Sequence, residues 1–267
     1  DGGKVGGLGY QLCHLFHHFI HPLHLFLDGA ADGLGFVDGQ AVVHHQLVNV
    51  QPVAGGGGDA PRAGVGLLQI THGGQLRHFV AEEHAISMAG GLAKQGMIPV
   101  VAIYSTFLQR AYDMLLQDVA MLGLHVVFAV DRAGLVGGDG ETHHGVFDVN
   151  YLRSVPGMQV LCPASQAELG QMLRRAVLEM TGPVAVRYPR GCDGAFTGIA
   201  EQPCLREGSD ITLVTYGTLV NEVLAAAKML QARGISAEVL KLPSIKPLDV
   251  RTVAASMRKT GRLLVAE

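Results

Sequence analysis

The residues of this chain best suited to chemistry fall into short blocks. The first is Ala81-Glu82-Glu83-His84, and the second is Tyr104-Ser105-Thr106-Phe107-Leu108-Gln109-Arg110-Ala111-Tyr112-Asp113. Asp131-Arg132-Ala133-Gly134, Gly138-Asp139-Gly140-Glu141-Thr142-His143 and Arg187-Tyr188-Pro189-Arg190-Gly191 follow. A carboxylate opening one βα unit, with an aromatic and arginine cluster at the C-terminal edge of the next strand, is how an α/β fold builds a cofactor pocket above its sheet. Arg110 lies inside an otherwise apolar block and so needs an anion, for which carboxylate or phosphate is the natural bidentate partner. Asp139 and His143 sit in the glycine-rich stretch Gly134–Gly145, too polar for a core and of the kind in which binding residues concentrate.

Each block also has a plainer reading. Glu82 and Glu83 suit a helix N-terminus by compensating its dipole. Phe107 at a helix start would ordinarily bury against a sheet, and a loop histidine such as His143 is ordinarily at the surface. Arg132 and Arg190 read equally as ordinary strand-end arginines.

The elements that must position these residues are legible from about residue 81 onward. Small and apolar residues recur at helical spacing from His84 to Gln95, and Ile98–Tyr104 is a continuous apolar run, the pattern of a strand covered on both faces. Thr106–Leu122 reads as a helix, and His125–Val130 and Met158–Leu161 as strands. Ser165-Gln166-Ala167-Glu168 is a capping box opening a helix to about Met180, and Pro183–Arg187 returns as a strand. Such alternation with short joins predicts an α/β fold with a doubly wound parallel sheet over residues 81–191. Residues 192–208 read as a linker. A second, partial α/β unit spans 209–267: strand Ile211–Tyr216, helix Leu219–Ala232, strand Ser236–Leu240, helix Asp249–Arg258 and strand Arg262–Ala266.

Residues 1–80 differ in kind. They contain no glutamate, a single lysine (Lys4), the run Gly55–Gly58 and nine of the chain's 13 histidines. No apolar period is sustained beyond Leu12–Leu27, which Pro22 interrupts, so the segment is not expected to be a genuine domain, and residues 1–78 are expected to be poorly ordered or implausibly packed. His14, His17, His18, His21 and His24 have helical spacing, but Pro22 breaks the helix that would align a metal ligand set, and no metal site is assigned. A wrong reading frame, an antisense read or a mis-joined sequence accounts best for this segment.

Bulk properties narrow the partners. At 267 residues, with a net charge of −3 and a pI near 6.5, the chain has no electrostatic footprint for nucleic acid or an anionic membrane. No apolar stretch approaches a membrane span, and the start lacks the features of a signal peptide, so a cytoplasmic location is expected. Cys13, Cys162, Cys192 and Cys204 are widely spaced, which favours reduced thiols.

From Ala81 to Glu267 the blocks together resemble the 1-deoxy-D-xylulose-5-phosphate synthase family, thiamine-diphosphate enzymes of the transketolase superfamily. The resemblance implies a pyrimidine-binding domain followed by part of a C-terminal domain, a chain truncated at both ends, and a homodimer when intact. It implies condensation of pyruvate with glyceraldehyde 3-phosphate, releasing carbon dioxide. Glu82 matches the glutamate that hydrogen-bonds the cofactor's pyrimidine ring, with Glu83 its non-catalytic neighbour. Phe107 matches the aromatic packed on that ring, with Tyr104 and Arg110 beside it. His143 matches a catalytic position beside the substrate, near Asp139 and Tyr104, and Arg132 and Arg190 match residues holding the acceptor's phosphate. Gly138-Asp139-Gly140 looks like the start of a magnesium and diphosphate motif, but Asn150 is too close to complete it; Mg2+ ligands are expected in a domain N-terminal to this one. Transketolase itself, a 2-keto-acid dehydrogenase β subunit, or a non-catalytic product of a broken gene are the alternative readings.

Overall fold

The computed structural model describes residues 82–267 in full and, before them, the backbone of three strands: β1 (Gln40–Val43), β2 (Gln46–Val53) and β3 (Val65–Ile70). The histidines at 14–24, and the expectation about order over the rest of residues 1–78, lie outside the described residues. The reading that no apolar period is sustained there misses these strands. They run 4 to 8 residues and lie in a segment whose scattered glycines and histidines interrupt the apolar pattern.

The next strands are β4 (Ile98–Tyr104), β5 (Val127–Asp131), β6 (Gln159–Leu161) and β7 (Val184–Arg187). Among the described residues they join β1–β3 in a sheet of order β1-β2-β3-β4-β5-β7-β6, completed beyond β6 by Ser244–Lys246 from the C-terminal part. Neighbouring strands from β3 through β4, β5 and β7 to β6 pair in parallel, while β1 with β2, β2 with β3, and the Ser244–Lys246 strand with β6 pair antiparallel. The expected parallel, doubly wound centre is therefore present, with antiparallel margins.

Burial explains the winding. Every residue of β5 is buried, and alternate side chains serve opposite layers. Phe128 and Val130 join a core with helix α1 (Glu82–Lys94) and the helical segment after β4; Val127 and Ala129 pack with Leu169, Met172 and Ala176 of a later helix on the other face. Gly90 lets α1 close on that helical segment, because a Cβ there would sit 2.5 Å from the Asp118 carbonyl oxygen. The segment departs from the single helix expected over Thr106–Leu122. It starts at Ser105 with α turns, tightens to 3-10 geometry at Gln109–Ala111, returns to α at Tyr112–Met114 and widens to a π turn at Leu115–Ala120. Leu108, Ala111, Leu115 and Val119 stay fully buried throughout, so packing holds the face while the winding changes.

Helix α2 (Asp148–Ser154), absent from the sequence reading, leads to β6, and α3 (Gln166–Leu178) covers the second face. Ser165 caps α3 as expected, its Oγ accepting the Glu168 amide at 3.1 Å. The Glu168 carboxylate reaches one residue further than the box predicts, accepting from the Ala164 amide at 2.8 Å.

The second unit contains β8 (Cys204–Arg206), β9 (Ile211–Tyr216), α4 (Val220–Gln231), β10 (Ala237–Leu242), β11 (Ser244–Lys246), α5 (Val250–Thr260) and β12 (Leu263–Ala266). Its sheet runs β12-β9-β10-β8, parallel except for β8. Strand β8 falls inside the stretch expected to be linker, and β11 crosses to the first sheet by pairing with β6. The stretch between the units is a strap. Ser165 Oγ donates to the Gly198 carbonyl at 2.7 Å, the Gln166 amide to Asp193 at 2.8 Å, and the Phe196 amide to Asn221 at 2.7 Å. Among the described residues, no helix is long and apolar enough to cross a membrane.

Candidate active site

The parallel strands deliver the chemistry-bearing blocks to one edge. Tyr104 ends β4, Asp131 ends β5, and Arg187 ends β7 with Tyr188 and Arg190 just beyond it, all at C-terminal strand ends. Glu82 opens α1 and is 1 % exposed. Its Oε1 accepts from Arg110 Nη1 at 3.2 Å, and its Oε2 is buried with no hydrogen-bond partner among the described residues. Burial pushes the Glu82 carboxyl pKa up, partly countered by a backbone hydrogen bond and by Arg110. Buried polar atoms are ordinarily satisfied, so a carboxylate with one claimed and one unclaimed oxygen is held ready for a ligand's hydrogen-bonding group.

Beside it the aromatic cluster assembles as the sequence blocks suggest. The Tyr104 and Phe107 rings stack with centroids 5.5 Å apart, and the His143 ring stands edge-on 5.2 Å from Phe107 and 6.3 Å from Tyr104. The Arg110 guanidinium lies 5.2 Å from the Phe107 centroid, so Arg110 has the Glu82 carboxylate and an aromatic face as neighbours. Arg132 covers the Tyr104 ring at 3.8 Å.

Arg132 is held in an unusual backbone conformation, with φ at 57°, the positive-φ non-glycine position among the described residues. Asp131 fixes it there: its carboxylate accepts the Arg132 amide at 2.6 Å and also takes the Arg132 guanidinium. Asp139 then bridges the two arginines, one oxygen accepting Arg132 Nε at 3.0 Å and the other taking Arg190. Burial raises the Asp131 pKa, with Arg132 pulling against it. Burial also works against the charge on Arg132, but Asp131, then Tyr104 and Asp139, hold its pKa above the usual value.

The loop carrying Asp139 and His143 is closed at its neck. Gly134 and Gly145 exchange two backbone hydrogen bonds, each 2.8 Å. Gly145 admits no side chain, since a Cβ would collide with the Arg132 carbonyl and the Ser105 side chain. The structure thus brings together Glu82 with Arg110 and Phe107, and Tyr104 with Arg132, Asp139, His143 and Arg190.

Two family models match the chain: the transketolase pyrimidine binding domain over residues 36–192, and the transketolase C-terminal domain over residues 201–267. The chain belongs to the transketolase family. The 1-deoxy-D-xylulose-5-phosphate synthase of Heliobacterium modesticaldum is 45 % identical to it over 215 residues, covering 76 % of this chain and 33 % of that protein. The enzyme of the same name from Desulforudis audaxviator is 46 % identical over 219 residues, covering 78 % and 34 %. The chain therefore spans about a third of the length of these curated relatives. Among solved structures, a split-gene transketolase described as an inactive β4 tetramer superposes with a TM-score of 0.63 at 33 % identity, covering 70 % of this chain and 63 % of that one. A transketolase from Pichia stipitis shares the fold at a TM-score of 0.60 and 20 % identity, over 69 % of this chain and 29 % of its own.

Thiamine diphosphate is the cofactor expected of a transketolase-family site, and the residues present fit its pyrimidine half. A buried carboxylate with an unclaimed oxygen beside a stacked aromatic pair suits a flat, hydrogen-bonding heterocycle. No comparable fit exists for a metal among the described residues. Among the described residues, the group of possible ligands close enough together is Cys204, Glu207 and Glu238, in the second unit, and Lys259 already bonds to both glutamates.

Sequence reasoning missed several supports of this transketolase-family site. Asp131 stands in its block but was given no role, and Ser105, buried with its Oγ unpartnered among the described residues, has no sequence signal. Asp148 and Tyr151 lie on the unforeseen α2, where the Tyr151 hydroxyl donates to the Ser105 carbonyl at 2.8 Å.

Proposed function

We propose that this chain forms the pyrimidine-binding and partial C-terminal portion of a 1-deoxy-D-xylulose-5-phosphate synthase, which joins pyruvate to glyceraldehyde 3-phosphate with release of carbon dioxide. The observation that carries the reading is the pairing of a buried, half-claimed Glu82 carboxylate with two arginines sharing Asp139 at the same strand edge. When bound, thiamine diphosphate supplies a carbon nucleophile for a 2-keto acid and a sink for the electrons released on decarboxylation.

The chain's own residues do the rest. Glu82 would hydrogen-bond the pyrimidine ring and set its protonation, Phe107 would pack against that ring, and Arg110 keeps Glu82 in place. His143, edge-on to Phe107, donates a hydrogen bond to a substrate oxygen. Arg132 and Arg190, aligned by Asp139, grip the acceptor's phosphate, and Tyr104 lines the path between acceptor and cofactor. Mg2+ would be held by the diphosphate-binding part of the enzyme, and the working form would be a homodimer.

Replacing the corresponding third of the Heliobacterium modesticaldum synthase with residues 82–267 tests this. The chimera is expected to make 1-deoxy-D-xylulose 5-phosphate from pyruvate and glyceraldehyde 3-phosphate, and Glu82→Ala to abolish it while Glu83→Ala costs far less. A chimera that folds and binds cofactor but transfers two-carbon units between sugar phosphates would assign the chain to the ordinary transketolases instead. Equal losses from the two glutamate changes would remove Glu82 from its role.

A further inference from the structure

The loop carrying Asp139 and His143 is tied to the C-terminal unit through a route that involves none of the residues assigned to cofactor or substrate. Asp148, the residue that opens α2 just after the loop, is fully buried, and its two oxygens accept Arg187 Nε at 2.8 Å and Nη2 at 3.2 Å. Arg187 is itself mostly buried, and its guanidinium sits 5.5 Å from the ring centroid of Tyr216, the last residue of β9 in the second unit. At the other end of α2, Lys246 of β11 donates to the Arg153 carbonyl at 2.8 Å and to that of Val155. Both ends of this short helix are thus held by the second unit, one directly and one through Arg187.

We infer that Arg187 is a positioning residue that transmits the seating of the C-terminal unit to the catalytic loop, so that this unit is part of the site's architecture. The physical reason is that Asp148 is fully buried and has Arg187 as its cationic partner. Taking the partner from a buried, hydrogen-bonded carboxylate is strongly destabilising, and Arg187 has the Tyr216 ring, 5.5 Å from its guanidinium, as a second contact. Burial works against the Arg187 charge, yet Asp148 holds its pKa well above the usual guanidinium value. Loosening Tyr216 should therefore loosen α2 and, through it, the Gly134–Gly145 neck, while the sheet centre stays intact. That the loop matters to catalysis rests on the function proposed above; the coupling itself does not.

Amide hydrogen exchange on the full 267-residue chain, without cofactor or substrate, tests it. Tyr216→Leu is expected to speed exchange at Gly134 and Gly145 by about tenfold or more while Phe128, at the centre of β5, keeps its protection. Tyr216→Phe, which keeps the ring, should leave all three as they were. If Tyr216→Leu does not fold, Lys246→Met carries the same expectation through the far end of α2. Unchanged exchange at the two glycines, loss in step with Phe128, or a phenylalanine variant that behaves like leucine would each overturn the coupling. Because no turnover is read, a failure here leaves the proposed reaction standing, and an inactive chimera leaves this test unaffected.

Discussion

Glu82 is the residue at which stability and chemistry pull apart. Its burial and unclaimed oxygen disfavour the ionised form, so its pKa is higher in the fold than in the unfolded chain. The stability it contributes is present at acid pH and lost as pH rises through the raised folded value. Glu82→Gln has no charge to bury and should melt at a higher temperature than the native chain at pH 8, the gap closing toward the ordinary carboxylate range; thermal melts across that interval measure it. A gap independent of pH would mean the carboxylate is not penalised. Arg132 and Arg190 make a separate case, since each already shares Asp139. In the chimera, Arg190→Ala should raise the KM for glyceraldehyde 3-phosphate about tenfold to a hundredfold, the loss of one charge-assisted contact, with little change for pyruvate or an unphosphorylated aldehyde. An equal loss with both acceptors would mean Arg190 supports the fold rather than the phosphate.

The elements that matter most are those whose geometry departs from a regular pattern. The helical segment after β4 tightens at Gln109–Ala111, beside Arg110, and widens to a π turn against α1, where Gly90 admits the Asp118 carbonyl. Local distortion of this kind is concentrated at functional sites because it redirects side chains that a straight helix would aim elsewhere. The Gly134–Gly145 loop is shaped by a local constraint of the same kind. Its neck exists because Gly145 has no Cβ, so Gly145→Ala should destabilise the chain by about 1–3 kcal/mol, forcing the Ser105 side chain or the Arg132 backbone to move. Urea denaturation gives the number, and a neutral result would show that the neck yields more readily than its packing suggests.

At the scale of the whole molecule, the two units are joined by a buried ion pair. Glu168 of α3 and Lys241 of β10 lie 2.6 Å apart, 2 % and 1 % exposed, and Glu168 also accepts the Ala164 and Ala200 amides. Lys241→Met leaves a buried carboxylate without its cation and should cost about 3–5 kcal/mol, whereas combining it with Glu168→Gln should recover much of the loss. The double-mutant cycle by urea denaturation tests this; additive losses would mean the residues act independently. Shared strands point the same way, because β11 completes the first sheet and Ile245 is part of its core.

What the sequence determined by itself was the alternation of buried strands and amphipathic helices beyond residue 81, and the identity of the residues grouped at the strand ends. Both follow from local pattern: apolar runs such as Ile98–Tyr104 bury on two faces wherever they sit, and a polar, glycine-rich stretch such as Gly134–Gly145 cannot enter a core. Strands β8 and β11, three residues each, and helix α2, of seven, were not legible because pieces this short carry little period of their own, and β1–β3 were not legible because they lie in a segment where glycines and histidines interrupt the apolar pattern. The capping box at Ser165 was visible, but its glutamate's partnership with Lys241 was not, for the two are 73 residues apart in sequence. The same holds for Asp139 between Arg132 and Arg190, and for Asp148 on Arg187. Which charged residues meet depends on strand order and on how two sheets seat against one another, and those are properties of the packed whole.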